Sequence, residues 1–253
     1  MPEIRHRTPE ASPRYRFVDC RWELGQPERG RELYLAGHVP GAPFLDVERD
    51  LSAPPVEGGA RHPLPSAEAF AAAAGRAGIG PGVLVVAYGS MGGAERLWWL
   101  LRHFGHDDVA VLAGGIDSWL GPLRSGEEAT EPAVFEPRPR SGDTFDAEEI
   151  AARLDDPSLV VVDARLPARF RGEPNPIDRV PGRIPGAVNL PWSGEGELPS
   201  GVLEADEIVA YCGSGVTACV PLLALARAGR PDAKLYPGSW SDWESKDLPV
   251  ERD

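Results

Sequence analysis

Residues 208–219 read Ile208-Val209-Ala210-Tyr211-Cys212-Gly213-Ser214-Gly215-Val216-Thr217-Ala218-Cys219. The β-branched run Ile208–Tyr211 predicts a buried strand, and it ends on a cysteine. A loop of small residues follows, and the apolar run Ala218–Arg227 predicts a helix. Such a loop turns main-chain N–H groups and the positive end of the helix dipole toward the residue that opens it. A thiolate or persulfide on Cys212 is stabilised in that setting. No charged residue occurs between Ile208 and Ala226, so the stretch predicts an anion held by backbone and not by a side-chain base. The chemistry it points to is that of sulfur.

The chain contains itself twice. Val85-Val86-Ala87-Tyr88-Gly89 echoes Ile208-Val209-Ala210-Tyr211-Cys212. Phe17-Val18-Asp19-Cys20-Arg21 echoes Val161-Val162-Asp163-Ala164-Arg165, and His38-Val39-Pro40-Gly41-Ala42 echoes Arg183-Ile184-Pro185-Gly186-Ala187. Gly114–Trp119 echoes Gly238–Trp243, each opening on glycine and ending on tryptophan. The offsets run from 123 residues (Val85 to Ile208) to 145 (His38 to Arg183). Such spacing means a duplicated domain and not a solenoid. Gly89 occupies the place of Cys212, so the first copy lacks the nucleophile and serves as support and as one wall of a cleft.

Each copy alternates short β-branched runs with helical patterns. Strands are predicted over 83–88, 109–112, 159–163, 208–211 and 234–236, and helices over 94–104 and 218–227. Asp146-Ala147-Glu148-Glu149 is a capping box ahead of a further helix. The alternation predicts an α/β fold of two tandem domains, each a mostly parallel sheet covered by helices on both faces. Ligands bind such sheets at the carboxyl ends of strands, where Cys212 sits. Residues 1–124 form the first domain. The Pro-, Glu- and Gly-containing stretch 125–142 has linker composition, and 143–253 form the catalytic domain.

Composition narrows the partners. The net charge of −13 over 253 residues argues against nucleic acid or an anionic membrane surface. An anionic substrate therefore needs a local site of arginines and amides. Met1 to Arg7 has no apolar run, so no leader and no membrane span are expected. Cys20, Cys212 and Cys219 are too few and too irregular for a disulfide framework or a zinc site. A reducing, cytoplasmic setting without metal or cofactor is expected.

These residues resemble the tandem rhodanese-domain sulfurtransferases over nearly the whole chain, with the mercaptopyruvate-using branch nearest. The loop of that branch reads Cys-Gly-Ser-Gly-Val-Thr, as Cys212–Thr217 does. Supporting matches are Arg96-Leu97-Trp98-Trp99, Phe104-Gly105-His106, Arg169-Phe170-Arg171-Gly172, Ile184–Asn189 and Gly238-Ser239-Trp240. The resemblance implies two tandem rhodanese-like domains and two-step transfer of sulfane sulfur. Cys212 takes sulfur from a small anionic donor, 3-mercaptopyruvate, and releases pyruvate. The persulfide then passes its outer sulfur to a thiol acceptor such as thioredoxin, or to cyanide. Ser214 donates a proton to the leaving enolate, in a relay with His62 and Glu48, where the family's better-studied members carry aspartate. Arg169, and Arg179 within the shortened segment before Ile184, bind the donor carboxylate. Gly213, Gly215, Val216 and Thr217 form the donor cradle. A monomer or weak homodimer is expected.

Each residue also has a plainer reading. Cys212 could be a packed thiol, but a Gly-Ser-Gly loop is a strange choice for packing alone. Cys219, Trp98, Trp99, Trp240 and Trp243 read as core, Cys20 as incidental, His62 as an exposed loop histidine, and Arg169 and Arg179 as surface arginines. A phosphatase would carry Cys-x5-Arg, whereas Ala218 stands six residues after Cys212. Thiosulfate is the rival donor, although thiosulfate-preferring loops carry basic residues where Gly213 and Ser214 stand. A non-enzymatic sulfur carrier or binding module is the remaining alternative.

Overall fold

β-Branched runs at regular spacing build two parallel sheets. They are seen in a computed structural model that describes residues 14–194 and 198–253. The expectation for Met1–Arg7 lies outside the described residues. The first sheet has the order β1 (Arg14–Cys20), β2 (Val83–Gly89), β3 (Val109–Val111). The second has the order β5 (Val188–Asn189), β4 (Leu159–Asp163), β6 (Glu207–Tyr211), β7 (Lys234–Leu235). All pairings between named strands are parallel, as the strand–helix alternation requires.

The helices are α1 (Arg29–Ala36), α2 (Ala67–Arg76) and α3 (Gly93–His103) in the first half. In the second half they are α4 (Ala147–Ala151), α5 (Pro167–Arg171), α6 (Ser200–Leu203), α7 (Cys219–Arg227) and α8 (Ser239–Ser245). Their starts follow from sequence. Ser66 accepts from the Ala69 N–H at 3.1 Å ahead of α2. Asp146 and Glu149 bond reciprocally ahead of α4, each at 2.8 Å. Pro167 sits in the first turn of α5, where its missing N–H costs no helical bond.

Side-chain alternation sorts the second sheet into two faces. Val162, Ile208, Ala210 and Leu235 join a core shared with α3 and α7 and with Val18, Val85 and Ala87 of the first sheet. Val161, Val209 and Tyr211 face a separate core with Ile150, Trp240 and Trp243. The shared core is continuous from one half to the other, and α3 packs on α7 through it. Burial there fixes the mutual placement of the halves.

The duplication extends to polar detail. Arg21 Nη2 lies 2.6 Å from Asp19, and Arg165 Nη2 lies 2.7 Å from Asp163. The same nitrogens donate to Gly37 O and Gly182 O, both at 2.7 Å. The Tyr88 and Tyr211 hydroxyls each accept an N–H, from Val39 and Ile184, at 3.1 Å. Each network locks the loop after the first strand of its half to the neighbouring strand's end.

Stretch 125–142 contains no helix or strand, yet it is not a loose tether. Ala133 N donates to Gly75 O, Arg138 N to Phe104 O and Arg140 N to His103 O, and Phe135 enters the shared core.

Candidate active site

Strand β6 delivers Cys212 to the carboxyl edge of the second sheet, fully buried. Gly215 N donates to Cys212 Sγ at 3.1 Å, and Ser214 N lies at 3.5 Å. Helix α7 begins only at Cys219, so these loop amides, and not the helix terminus, make the direct contacts. They point inward because the loop carbonyls are held elsewhere. Trp240 N donates to Cys212 O at 3.0 Å and Ser241 N to Gly213 O at 3.1 Å. The Cys212 N–H is taken by Ser239 Oγ at 3.1 Å, and that hydroxyl donates to Tyr236 O at 2.9 Å. Ser239 has φ +53°, a left-handed backbone that side-chain-bearing residues rarely adopt. Gly215, at φ +86°, leaves no room for a Cβ, which would meet Pro237 O at 2.5 Å.

The first half supplies the other wall. His62 Nδ1 lies 2.8 Å from Ser214 Oγ. Burial, aided by the charges of Arg96 and Arg61, lowers the His62 pKa to about 4. The imidazole is therefore neutral at pH 7. Glu48 Oε1 stands 3.9 Å from His62 Nε2, beyond hydrogen-bond reach. Burial, then the charge of Asp46, raises the Glu48 pKa. The expected relay is thus direct between Ser214 and His62 and interrupted at Glu48. His62 is buried, contrary to its reading as an exposed loop histidine.

The arginines differ more from expectation. Arg169 binds Asp178 through two bonds, Nε at 2.8 Å and Nη2 at 2.5 Å. Burial opposes ionisation of Asp178, but the Arg169 hydrogen bond and the Arg169 and Arg165 charges outweigh it and hold the carboxyl below its usual range. Arg179 does not join this group. Its guanidinium reaches Glu244 O and Asp247, and its side chain is 60% exposed. The segment after Arg171 carries Asp178 inward and turns Arg179 out. Arg61 stands instead beside the loop, with Nη2 donating to Gly213 O at 2.8 Å. A Cβ on Gly213 would lie 2.7 Å from Arg61 Nη2 and 2.9 Å from Arg169 Nη2.

Arg96 completes the wall. It is fully buried in α3 and donates to Gly215 O, His62 O, Pro63 O and Leu51 O at 3.1–3.3 Å. The absence of charge within residues 208–226 does not extend to what packs against them, because Arg61 and Arg96 reach Gly213 O and Gly215 O from the first half. Val216 is buried and Thr217 half-buried, with Gly92 of the first half against the Thr217 backbone. Arg61, Arg96 and Ser239 were not singled out for the site from sequence. Arg61 adjoins His62, and the other two lie in stretches that carried the resemblance. All three cysteines are free. Burial pushes the Cys219 thiol up to about 12 and Cys20 well above its ordinary value, so both are unreactive core thiols.

Among the described residues no group of three or more His, Cys, Asp or Glu side chains could hold a metal ion. No described helix is long and apolar enough to cross a membrane.

The family of rhodanese-like domains matches residues 6–121 and again 146–246. A probable 3-mercaptopyruvate sulfurtransferase of Pseudomonas aeruginosa is 42% identical over 256 residues, covering 92% of this chain and 90% of the relative. A putative thiosulfate sulfurtransferase of Mycobacterium tuberculosis is 36% identical, covering 90% and 87%. The crystal structure of SseA from Escherichia coli, described with the catalytic mechanism of 3-mercaptopyruvate sulfotransferases, superposes with a TM-score of 0.76. It is 33% identical and covers 90% of this chain and 93% of that one.

Proposed function

This chain belongs to the rhodanese-like domain family, and we propose that it moves sulfur from 3-mercaptopyruvate to a thiol acceptor through a persulfide on Cys212. The observation that carries this reading is the pair of loop amides on Cys212 Sγ with the Ser214–His62 hydrogen bond beside it. The names of the similar proteins support the donor.

In the first step the Cys212 thiolate attacks the donor sulfur. An S–S bond forms, the donor C–S bond breaks, and its electron pair passes to the carbon skeleton as the enolate of pyruvate. The amides of Gly215 and Ser214 stabilise the sulfur anion before attack and again when it is released. The enolate takes a proton from the Ser214 hydroxyl. A neutral His62 with its proton on Nδ1 restores it, which leaves the Ser214 hydrogen free to face the donor. Glu48 faces Nε2 from 3.9 Å, outside hydrogen-bond reach, so the proton that Nε2 takes up as Nδ1 gives its own away comes from water on that partly exposed side. In the second step an acceptor thiolate attacks the outer sulfur and Cys212 leaves as thiolate.

Thioredoxin-type dithiols suit the second step, and three free thiols suit the cytoplasm. Residues 1–124, 125–142 and 143–253 are the first domain, the linker and the catalytic domain of this reading, acting as a monomer or weak homodimer. Thiosulfate is a second donor, favoured by the thiosulfate name of the mycobacterial relative and by the two guanidinium groups over Gly213.

Mass spectrometry of the protein after exposure to 3-mercaptopyruvate tests the proposal. One added sulfur, mapped to the Cys212 peptide, with pyruvate released, is expected. Cys212→Ser should show neither. Pyruvate release that survives Cys212→Ser would remove the enzyme reading of this loop.

A further inference from the structure

Arg61 carries a cation whose role the expected site does not include. Its guanidinium has no carboxylate within ion-pair distance among the described residues, whereas Arg169 beside it is matched by Asp178. Its acceptors are two neutral carbonyls, Gly213 O at 2.8 Å and Ile177 O at 3.0 Å. Its Nε is buried with no hydrogen-bond partner. Such a buried donor is costly to leave unpaired, so the arrangement favours an incoming acceptor. The Arg61 and Arg169 end nitrogens converge on the open side of Gly213, one residue from the nucleophile.

We propose that Arg61, contributed by the first domain, is the second donor-anion-binding residue of this site, in the role expected of Arg179. The inference rests on the sulfur-transfer reading and deepens it. The donor carboxylate replaces the carbonyls of Gly213 and Ile177 on Arg61 and satisfies Nε. Asp178 stays on Arg169 and keeps that guanidinium fixed. Arg61 binds the donor and takes no part in bond making. Its loss therefore acts on donor binding more than on turnover.

Arg61→Met and Arg61→Gln test this, with steady-state transfer from 3-mercaptopyruvate to a dithiol and with inhibition by pyruvate. Each variant is expected to raise KM by about tenfold or more and to weaken pyruvate inhibition by a similar factor, with the smaller part of the loss in kcat. Arg61→Lys, which keeps the charge without the fork, should fall between. Arg179→Met should leave both constants near those of the parent. Unchanged KM in the Arg61 variants, or a loss carried by kcat alone, overturns the proposal. The latter would mean that Arg61 only pins the Gly213 carbonyl. If the parent itself fails to transfer sulfur from 3-mercaptopyruvate, the functional reading has failed, and the absent parent rate separates that result from the others.

Discussion

Arg96 Nη1 donates to Gly215 O across 3.1 Å, although one residue lies in the first half of the chain and the other in the second. The same guanidinium serves the carbonyls of Leu51, His62 and Pro63. One buried cation thus joins the segment that presents His62 to the loop that presents Cys212. Replacing it with methionine keeps the volume but strands four carbonyls. Buried acceptors left without donors cost about 1–3 kcal/mol each before relaxation. Arg96→Met should lower stability by about 3 kcal/mol or more, a fall in Tm on the order of 10 °C. Calorimetry checks this, and a Tm within a few degrees of the parent would show that water satisfies those carbonyls.

Ser214 offers a finer test because the two donors leave differently. The pyruvate enolate needs a proton, whereas sulfite leaves thiosulfate as a stable anion. Ser214→Ala should cut turnover of 3-mercaptopyruvate by about 10²-fold and that of thiosulfate much less. Initial rates with both donors decide it. Equal losses would mean that the hydroxyl only shapes the loop.

Much of this architecture was legible because the duplication repeats both pattern and chemistry. The Asp-x-Arg, Pro-Gly-Ala and Tyr echoes reappear as one hydrogen-bond network in each half. The β-branched runs became strands within a residue or two of the expected bounds, since burial on both sheet faces leaves little freedom of register. The loop geometry at Cys212 was legible because small residues beyond a strand end leave the backbone amides uncovered. The cations were not. Arg61, Arg96 and Arg179 look alike in a sequence, and which one reaches the loop depends on how the two halves pack. The stretch 173–178 also hid its consequence. It brings Asp178 to Arg169 and sends Arg179 outward, an outcome decided by backbone course and not by residue type.

Gly213 and Gly215 should respond in opposite ways to the same change. At Gly215 a Cβ meets the Pro237 carbonyl at 2.5 Å and φ is +86°, so backbone must move. Gly215→Ala should cost about 2 kcal/mol or more. At Gly213 the first obstacle is the Arg61 guanidinium end at 2.7 Å, which has no carboxylate to hold it and shifts cheaply, while Arg169, tied to Asp178, needs to give only slightly from 2.9 Å. Gly213→Ala should leave the Tm within about 2 °C of the parent while raising the donor KM. Paired thermal melts and donor titrations test the contrast. A large Tm loss at Gly213 would show that those side chains are rigid.

The buried His62 makes stability depend on pH in a defined window. Its folded pKa is about 4 against an ordinary value of 6.5. Between those values the unfolded chain holds a proton on this residue that the folded chain does not. Unfolding is then favoured as pH falls from 6.5 toward 4, and the group makes no difference above 6.5. At pH 4.5 the loss is on the order of 2–3 kcal/mol. His62→Gln removes the titration but keeps a polar group facing Ser214. Urea unfolding of parent and variant at pH 7.5 and 4.5 isolates the effect, because other titrating groups act on both proteins. The variant should lose less stability than the parent by about that amount. A parallel decline in the two would mean that the imidazole is solvated and ordinary, and would undermine its role as a neutral proton donor to Ser214.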